Sequence, residues 1–138
     1  MSARGLLIDS GPLVALLSER DQHHVVCRDQ AKNLRGPFNT AWPVITEAAH
    51  LLSDDAGAVQ KLLAWVQTEE IKISQLEAAD VVGIADILRR YSDQGFDFAD
   101  ATLMHLADRD AITAVFTVDQ RHFSIFRTKS RKALSVFP

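Results

Sequence analysis

The sequence predicts a single α/β domain in which a central parallel β-sheet is flanked by helices on both faces. Three observations carry that expectation. Short apolar runs of strand character alternate with longer segments whose apolar residues recur at helical spacing. The segments between successive strands are too long for hairpins, so the strands pair in parallel through right-handed crossovers. No internal repeat, low-complexity tract or linker interrupts the pattern, and residues 1–138 read as one domain.

Leu6-Leu7-Ile8 is the first strand, and it runs into Asp9 and the turn Ser10-Gly11-Pro12. Pro12 to Ser18 reads as a helix with proline near its start, where a missing N–H costs little. His23 to Asn33 reads as a second helix, with Val25, Val26 and Ala31 as apolar positions and with His23 and His24 at the surface. After the turn Arg35-Gly36-Pro37, Phe38-Asn39-Thr40 is a short strand. Trp42-Pro43 opens a helix with an apolar stripe of Val44, Ile45, Ala48, Ala49, Leu51 and Leu52. Trp42 reads as an anchoring core aromatic. Glu47 lies at or beside the stripe.

Asp54 or Asp55 caps the next helix, whose face is Val59, Leu62, Leu63 and Val66. Ile71-Lys72-Ile73 is a short strand. Glu77 to Tyr91 is a long helix with Val81, Val82, Ile84, Ala85, Ile87 and Leu88 toward the core. Asp97 opens a further helix carrying Asp100, Leu103, Met104, Leu106 and Ala107. Ala114 to Val118 is the clearest strand after the first and runs into Asp119; a short helical turn then holds His122, Phe123 and Phe126, and Leu134 to Phe137 is a last edge strand.

Composition narrows the function classes. A hydrophobic content of 47% with 24% charged residues is that of a folded globular chain, not a disordered one. Cys27 is the single cysteine, which excludes an internal disulfide framework and any multi-cysteine zinc site and suits a reducing cytoplasm. No segment has the apolar length of a signal-peptide core or a membrane span. The net charge of −3 hides an asymmetry: all 18 acids precede residue 120, and the bases Arg121, Arg127, Lys129, Arg131 and Lys132 follow it. An acidic body repels nucleic acid, while a basic end can hold a phosphate backbone locally or simply be a solvated terminus.

The carboxylates carry the chemistry. In an open parallel sheet, ligands gather outside the carboxyl ends of the strands. Asp9 ends the first strand and Asp119 the Ala114–Val118 strand. Glu47 lies early in the helix after the second strand, and Asp100 lies in the first turn of the helix leading to the Ala114–Val118 strand. Asp100 is the least simply placed, because its helix follows a helix and only the tertiary fold can bring it to the same rim. Each acid has an ordinary alternative as a cap, turn or surface residue, and Asp97 fits that alternative best, as the N-cap of its helix. Four carboxylates around one cleft repel one another and hold raised pKa values unless a cation joins them. Mg²⁺ and Mn²⁺ favour such oxygen donors, and a pair of ions roughly 3.5–4 Å apart clamps both oxygens of an in-line phosphoryl displacement.

Leu6-Leu7-Ile8-Asp9-Ser10-Gly11-Pro12, Thr46-Glu47 within Trp42–Ala48, Phe98-Ala99-Asp100-Ala101, and Thr117-Val118-Asp119-Gln120-Arg121-His122-Phe123 together resemble, in order and spacing, the motifs of PIN-domain ribonucleases, in particular VapC-type toxins of toxin–antitoxin modules. The resemblance spans nearly the whole chain. It implies an Mg²⁺- or Mn²⁺-dependent endoribonuclease whose acidic quartet is Asp9, Glu47, Asp100 and Asp119. Asp9 and Asp100 would be the main metal ligands, and Glu47 and Asp119 would bind directly or through water. Ser10 and Thr117 would orient the carboxylates or their waters. The resemblance also implies RNA as substrate, a homodimer, and a small cognate antitoxin that covers the cleft.

Rival readings meet specific residues. A phosphoacceptor receiver domain needs an acidic pair after the first strand and an Asp after a central strand, but Asp9 stands alone and Ser74-Gln75-Leu76 follows Ile73. A haloacid-dehalogenase-type phosphatase needs a second Asp two residues after Asp9, where Gly11 stands. A PIN-fold protein working in RNA processing, a non-catalytic binding module of the same fold and a metal-dependent DNA nuclease stay open as alternatives.

Overall fold

The computed structural model describes residues 5–138. In chain order the elements are β1 (Leu6–Ile8), α1 (Ser10–Leu17), α2 (His24–Ala31), β2 (Phe38–Thr40), α3 (Trp42–Leu51), α4 (Ala56–Gln67), β3 (Ile71–Ile73), α5 (Asp80–Arg90), α6 (Phe98–Asp110), β4 (Ala114–Phe116), α7 (Gln120–Ile125) and β5 (Ser135–Phe137). The strands form one five-stranded sheet in the order β3-β2-β1-β4-β5, and every pairing is parallel. The predicted α/β fold with a central parallel sheet is the observed one.

Burial explains why the strands read so clearly. Leu7, Ile8, Val115 and Phe116 are buried in the two central strands, as expected where helices cover a parallel sheet. Helix α1 packs on α2, α3 and α4, whereas α6 packs on α3, α5 and α7. The core continues into the helices through Leu13, Val44, Leu62, Leu103, Met104 and Leu106, and it closes under α7 with Phe123 and Phe126.

Several local expectations shift. Helix α1 begins at Ser10, not Pro12, because the Asp9 carboxylate caps it by accepting from the Ser10 N–H at 2.8 Å. Pro12 still falls in the first turn, where its missing donor has no intrahelical partner to lose. Asp55 is the cap of α4 and accepts from the Ala58 N–H. β4 ends at Phe116, two residues short of the expected boundary, so Thr117 and Val118 lead out of the sheet toward Asp119. Trp42 is not a core aromatic but 58% exposed, and Val25, Val26, Val81 and Val82 also face outward. On α5 the fully buried residues are Ile84 and Ile87, and Leu88 packs against the core as expected. Adjacent apolar residues cannot share one helix face, so only part of the apolar run is covered.

The strand order creates the place where a site can form. The chain builds outward from β1 to β2 and β3, then returns to the other side of β1 with β4 and β5. Connections therefore leave in opposite directions from the carboxyl ends of β1 and β4, which opens a crevice between them.

Candidate active site

Asp9 and Thr117 meet because of strand register. Ile8 lies opposite Phe116 in the β1–β4 ladder, so the next residues on each chain, Asp9 and Thr117, emerge side by side at the carboxyl edge. The Asp9 N–H continues the pairing by donating to the Phe116 carbonyl at 3.0 Å. The buried Thr117 hydroxyl donates to Asp9 Oδ2 at 2.8 Å, and its oxygen accepts the Asp119 N–H at 3.0 Å. With the Ser10 N–H on Oδ1, both Asp9 oxygens are held.

Asp9 is nonetheless costly. It is only 6% exposed, and burial pushes its carboxyl up to about 7; the nearby charges of Asp100 and Glu47 raise it further, against the lowering effect of the Ser10 and Thr117 hydrogen bonds. Those interactions join three of the four predicted acids in one electrostatic neighbourhood. Glu47, half-buried on the second turn of α3, accepts the Ser10 hydroxyl at 2.6 Å. Ser10 thus touches Glu47 through its side chain and Asp9 through its backbone.

Asp100 reaches the rim through α6. That helix has 13 residues, about 20 Å of rise, and it feeds β4 through a short link. Because β4 is parallel to β1, a helix ending near the start of β4 must begin near the carboxyl edge. The preceding helix prepares this: α5 lies antiparallel to α6, with Asp80 at its start held by His105 at 2.8 Å and Arg109 at 3.3 Å. Asp97 is the N-cap as expected, and it forms a capping box with Asp100. The Asp100 N–H donates to Asp97 Oδ1 at 2.8 Å, and the Asp97 N–H donates to Asp100 Oδ2 at 3.2 Å. Burial lifts the Asp100 carboxyl to about 6; the Asp97 charge adds to the rise, and the Asp97 backbone and His122 oppose it.

Asp119 occupies the N-cap position of α7 without capping it. Its Oδ2 instead lies 2.9 Å from His122 Nδ1, the same nitrogen that lies 3.0 Å from Asp100 Oδ2. The ligand-capable atoms of Asp100, Asp119 and His122 all fall within 4.8 Å of one another. The sequence reading places His122 on a short helix and assigns it no role. Its spacing three residues after Asp119 on a helix is the signal that would have marked it as a neighbour of that acid.

The donor chemistry fits a hard divalent cation. Carboxylate oxygens of Asp100 and Asp119 gather at the His122 imidazole, Asp9 feels the charges of Asp100 and Glu47, and two buried carboxylates sit near neutrality where a cation would keep them ionised. Asp9, Asp100, Glu47 and Asp119 are the groups that could hold one.

Comparison with known proteins agrees with this architecture. The PIN domain family profile matches residues 6–128. Ribonuclease VapC26 of Mycobacterium tuberculosis is 25% identical over 135 residues, which cover 96% of this chain and all of that protein. The crystal structure of Mycobacterium tuberculosis VapC20, described as a sarcin-ricin loop cleaving toxin, superposes with a TM-score of 0.80 at 17% identity, covering 96% of this chain and 99% of that one. The profile match runs from β1 past α7, and the parallel sheet with its crevice between β1 and β4 is the corresponding fold: the chain belongs to the PIN domain family.

Proposed function

We propose that this chain is an Mg²⁺- or Mn²⁺-dependent endoribonuclease that hydrolyses RNA phosphodiester bonds, and that it is the toxin of a toxin–antitoxin pair. The observation that carries the reading is Asp9: a buried carboxylate, raised to about 7, flanked by Asp100 and Glu47 at the sheet's switch point. Membership of the PIN family and the likeness to a named ribonuclease support it.

In this reading Asp9 and Asp100 are the main cation ligands, with Glu47 and Asp119 binding directly or through water. A bound divalent ion supplies neutralisation of the phosphodiester and acidification of a water nucleophile. The chain's own residues keep the ligands aimed. Thr117 and the Ser10 N–H fix the two oxygens of Asp9, the Ser10 hydroxyl fixes Glu47, and the Asp97 backbone with His122 fixes Asp100. Each such outer contact is worth roughly tenfold or more in metal affinity when removed. Exposed Arg121 lies beside Asp119 on a surface depression shared with His23 and Gln120, and there it can meet a substrate phosphate.

The reading extends to partners. Among the described residues no helix is long and apolar enough to cross a membrane. The exposed Val25, Val26, Val81 and Val82 are apolar surface available to a second copy or to a small antitoxin, the partners a cytoplasmic toxin of this kind requires.

The test is direct. Purified protein should cut RNA with Mg²⁺ or Mn²⁺ and stop with EDTA, and Asp9→Asn and Asp100→Asn should abolish cutting in folded protein. Expression should arrest growth, with relief by co-expression of a small protein encoded alongside it. Full activity in either variant removes the site; cutting without growth arrest removes the toxin role and leaves RNA processing.

A further inference from the structure

The geometry points to His122 as a positioning residue that pins Asp119 against Asp100 and so pre-assembles the outer half of the cation site; the inference rests on the metal-dependent reading above. The Asp119 side chain is 43% exposed, and its own backbone N–H is tied to Thr117 Oγ1, which fixes the main chain but not the carboxylate. His122 Nδ1 is the side-chain partner the structure records for that carboxylate, at 2.9 Å, and the same atom contacts Asp100 at 3.0 Å. One nitrogen therefore holds together two like charges that would otherwise separate.

The imidazole is itself held. Phe96 meets it edge-on with centroids 5.1 Å apart, and Phe96 stacks on Tyr91 at 5.1 Å. Tyr91 in turn packs on the buried Phe126 at 5.8 Å. This aromatic wall fixes the ring orientation from the segment just before α6, so the elements bearing Asp100 and Asp119 are joined through it. An exposed carboxylate without such a clamp samples several rotamers, and ordering it on cation binding costs affinity.

The experiment is Mn²⁺ binding to the full chain, measured by calorimetry and by loss of the free-ion paramagnetic resonance signal. Variants are His122→Ala, His122→Phe, His122→Asn, Asp119→Ala, the Asp119→Ala/His122→Ala double variant, and Asp9→Asn as the site control. His122→Ala should weaken Mn²⁺ about tenfold or more. His122→Phe keeps the packing on Phe96 without the nitrogen and should weaken it equally, carrying the comparison if His122→Ala does not fold. His122→Asn, whose amide nitrogen can reach the Nδ1 position, should restore most of the affinity. In the Asp119→Ala background, the loss from His122→Ala should shrink to the part carried by its contact with Asp100.

Unchanged Mn²⁺ affinity in His122→Ala or His122→Phe overturns the inference. So does a loss that persists undiminished in the Asp119→Ala background, or one that His122→Asn does not repair. If the unsubstituted chain binds Mn²⁺ no better than Asp9→Asn, the metal-dependent reading itself fails, and this inference fails with it.

Discussion

Replacing Asp9 with Asn should remove the metal site and yet stabilise the metal-free fold in alkaline solution. The Asp9 carboxyl moves from 3.8 to about 7 on folding. Between those values the folded chain keeps a proton that the unfolded chain has released, so stability falls as pH rises through this window. The loss from this one group amounts to a little under about 2 kcal/mol at pH 5 and about 4 kcal/mol at pH 8. Asn carries no such penalty. It forfeits one contact, however, because a single amide oxygen cannot accept from both the Ser10 N–H and the Thr117 hydroxyl. That costs about 1–3 kcal/mol at either pH. The stability of Asp9→Asn relative to wild type should therefore improve by about 2–3 kcal/mol from pH 5 to pH 8, ending on the stabilised side. Asp100, raised to about 6, contributes a loss of the same sign to both proteins and cancels in the difference. Urea unfolding in EDTA at the two pH values measures it. At pH 8, added Mn²⁺ should raise the midpoint of wild type alone. A difference between the two proteins that does not change with pH would refute the account of Asp9 as a buried carboxyl held near neutrality.

The other expectations concern its neighbours. Thr117→Val removes the donor to Asp9 Oδ2 and leaves that buried oxygen unpaired; it should lower Mn²⁺ affinity about tenfold, read by calorimetry, while far-UV circular dichroism stays native. Asp97→Asn keeps a capping side chain and should change unfolding stability by only a few tenths of a kcal/mol, roughly, whereas Asp100→Asn should abolish RNA cutting. Equal loss of cutting in both would place Asp97 in the site. Gly83→Ala brings a methyl within 2.4 Å of His105 Nδ1, a ring already tied to Asp80. Overpacking there should cost about 1–3 kcal/mol, partly offset by helix propensity, and thermal unfolding should register a midpoint lower by several degrees. A Gly83→Ala protein as stable as wild type would mean that α5 and α6 separate freely at that contact.

The alternation of strands and helices, the single parallel sheet and the carboxylates at Asp9 and Glu47 were legible in the chain itself, because each depends on local periodicity or on the residue directly after a strand. Asp55 and Asp97 were legible as caps for the same reason: a cap serves the backbone within three residues of itself. Pattern could not decide that Val81 and Val82 on α5 both face outward, nor that Trp42 does, since an apolar residue beside a helical stripe satisfies the period whether or not packing covers it. The pairing of Thr117 with Asp9 is a matter of register across 108 residues. The arrival of Asp100 at the rim follows from α6 running back toward the start of a parallel β4. The joint grip of His122 on Asp100 and Asp119 needs both the crevice and the aromatic wall behind it. Sequence by itself determined which residue types stood at the ends of which elements. Only the tertiary structure decided which ends met, because parallel pairing and the strand order act between segments far apart in the chain, where local pattern carries no information.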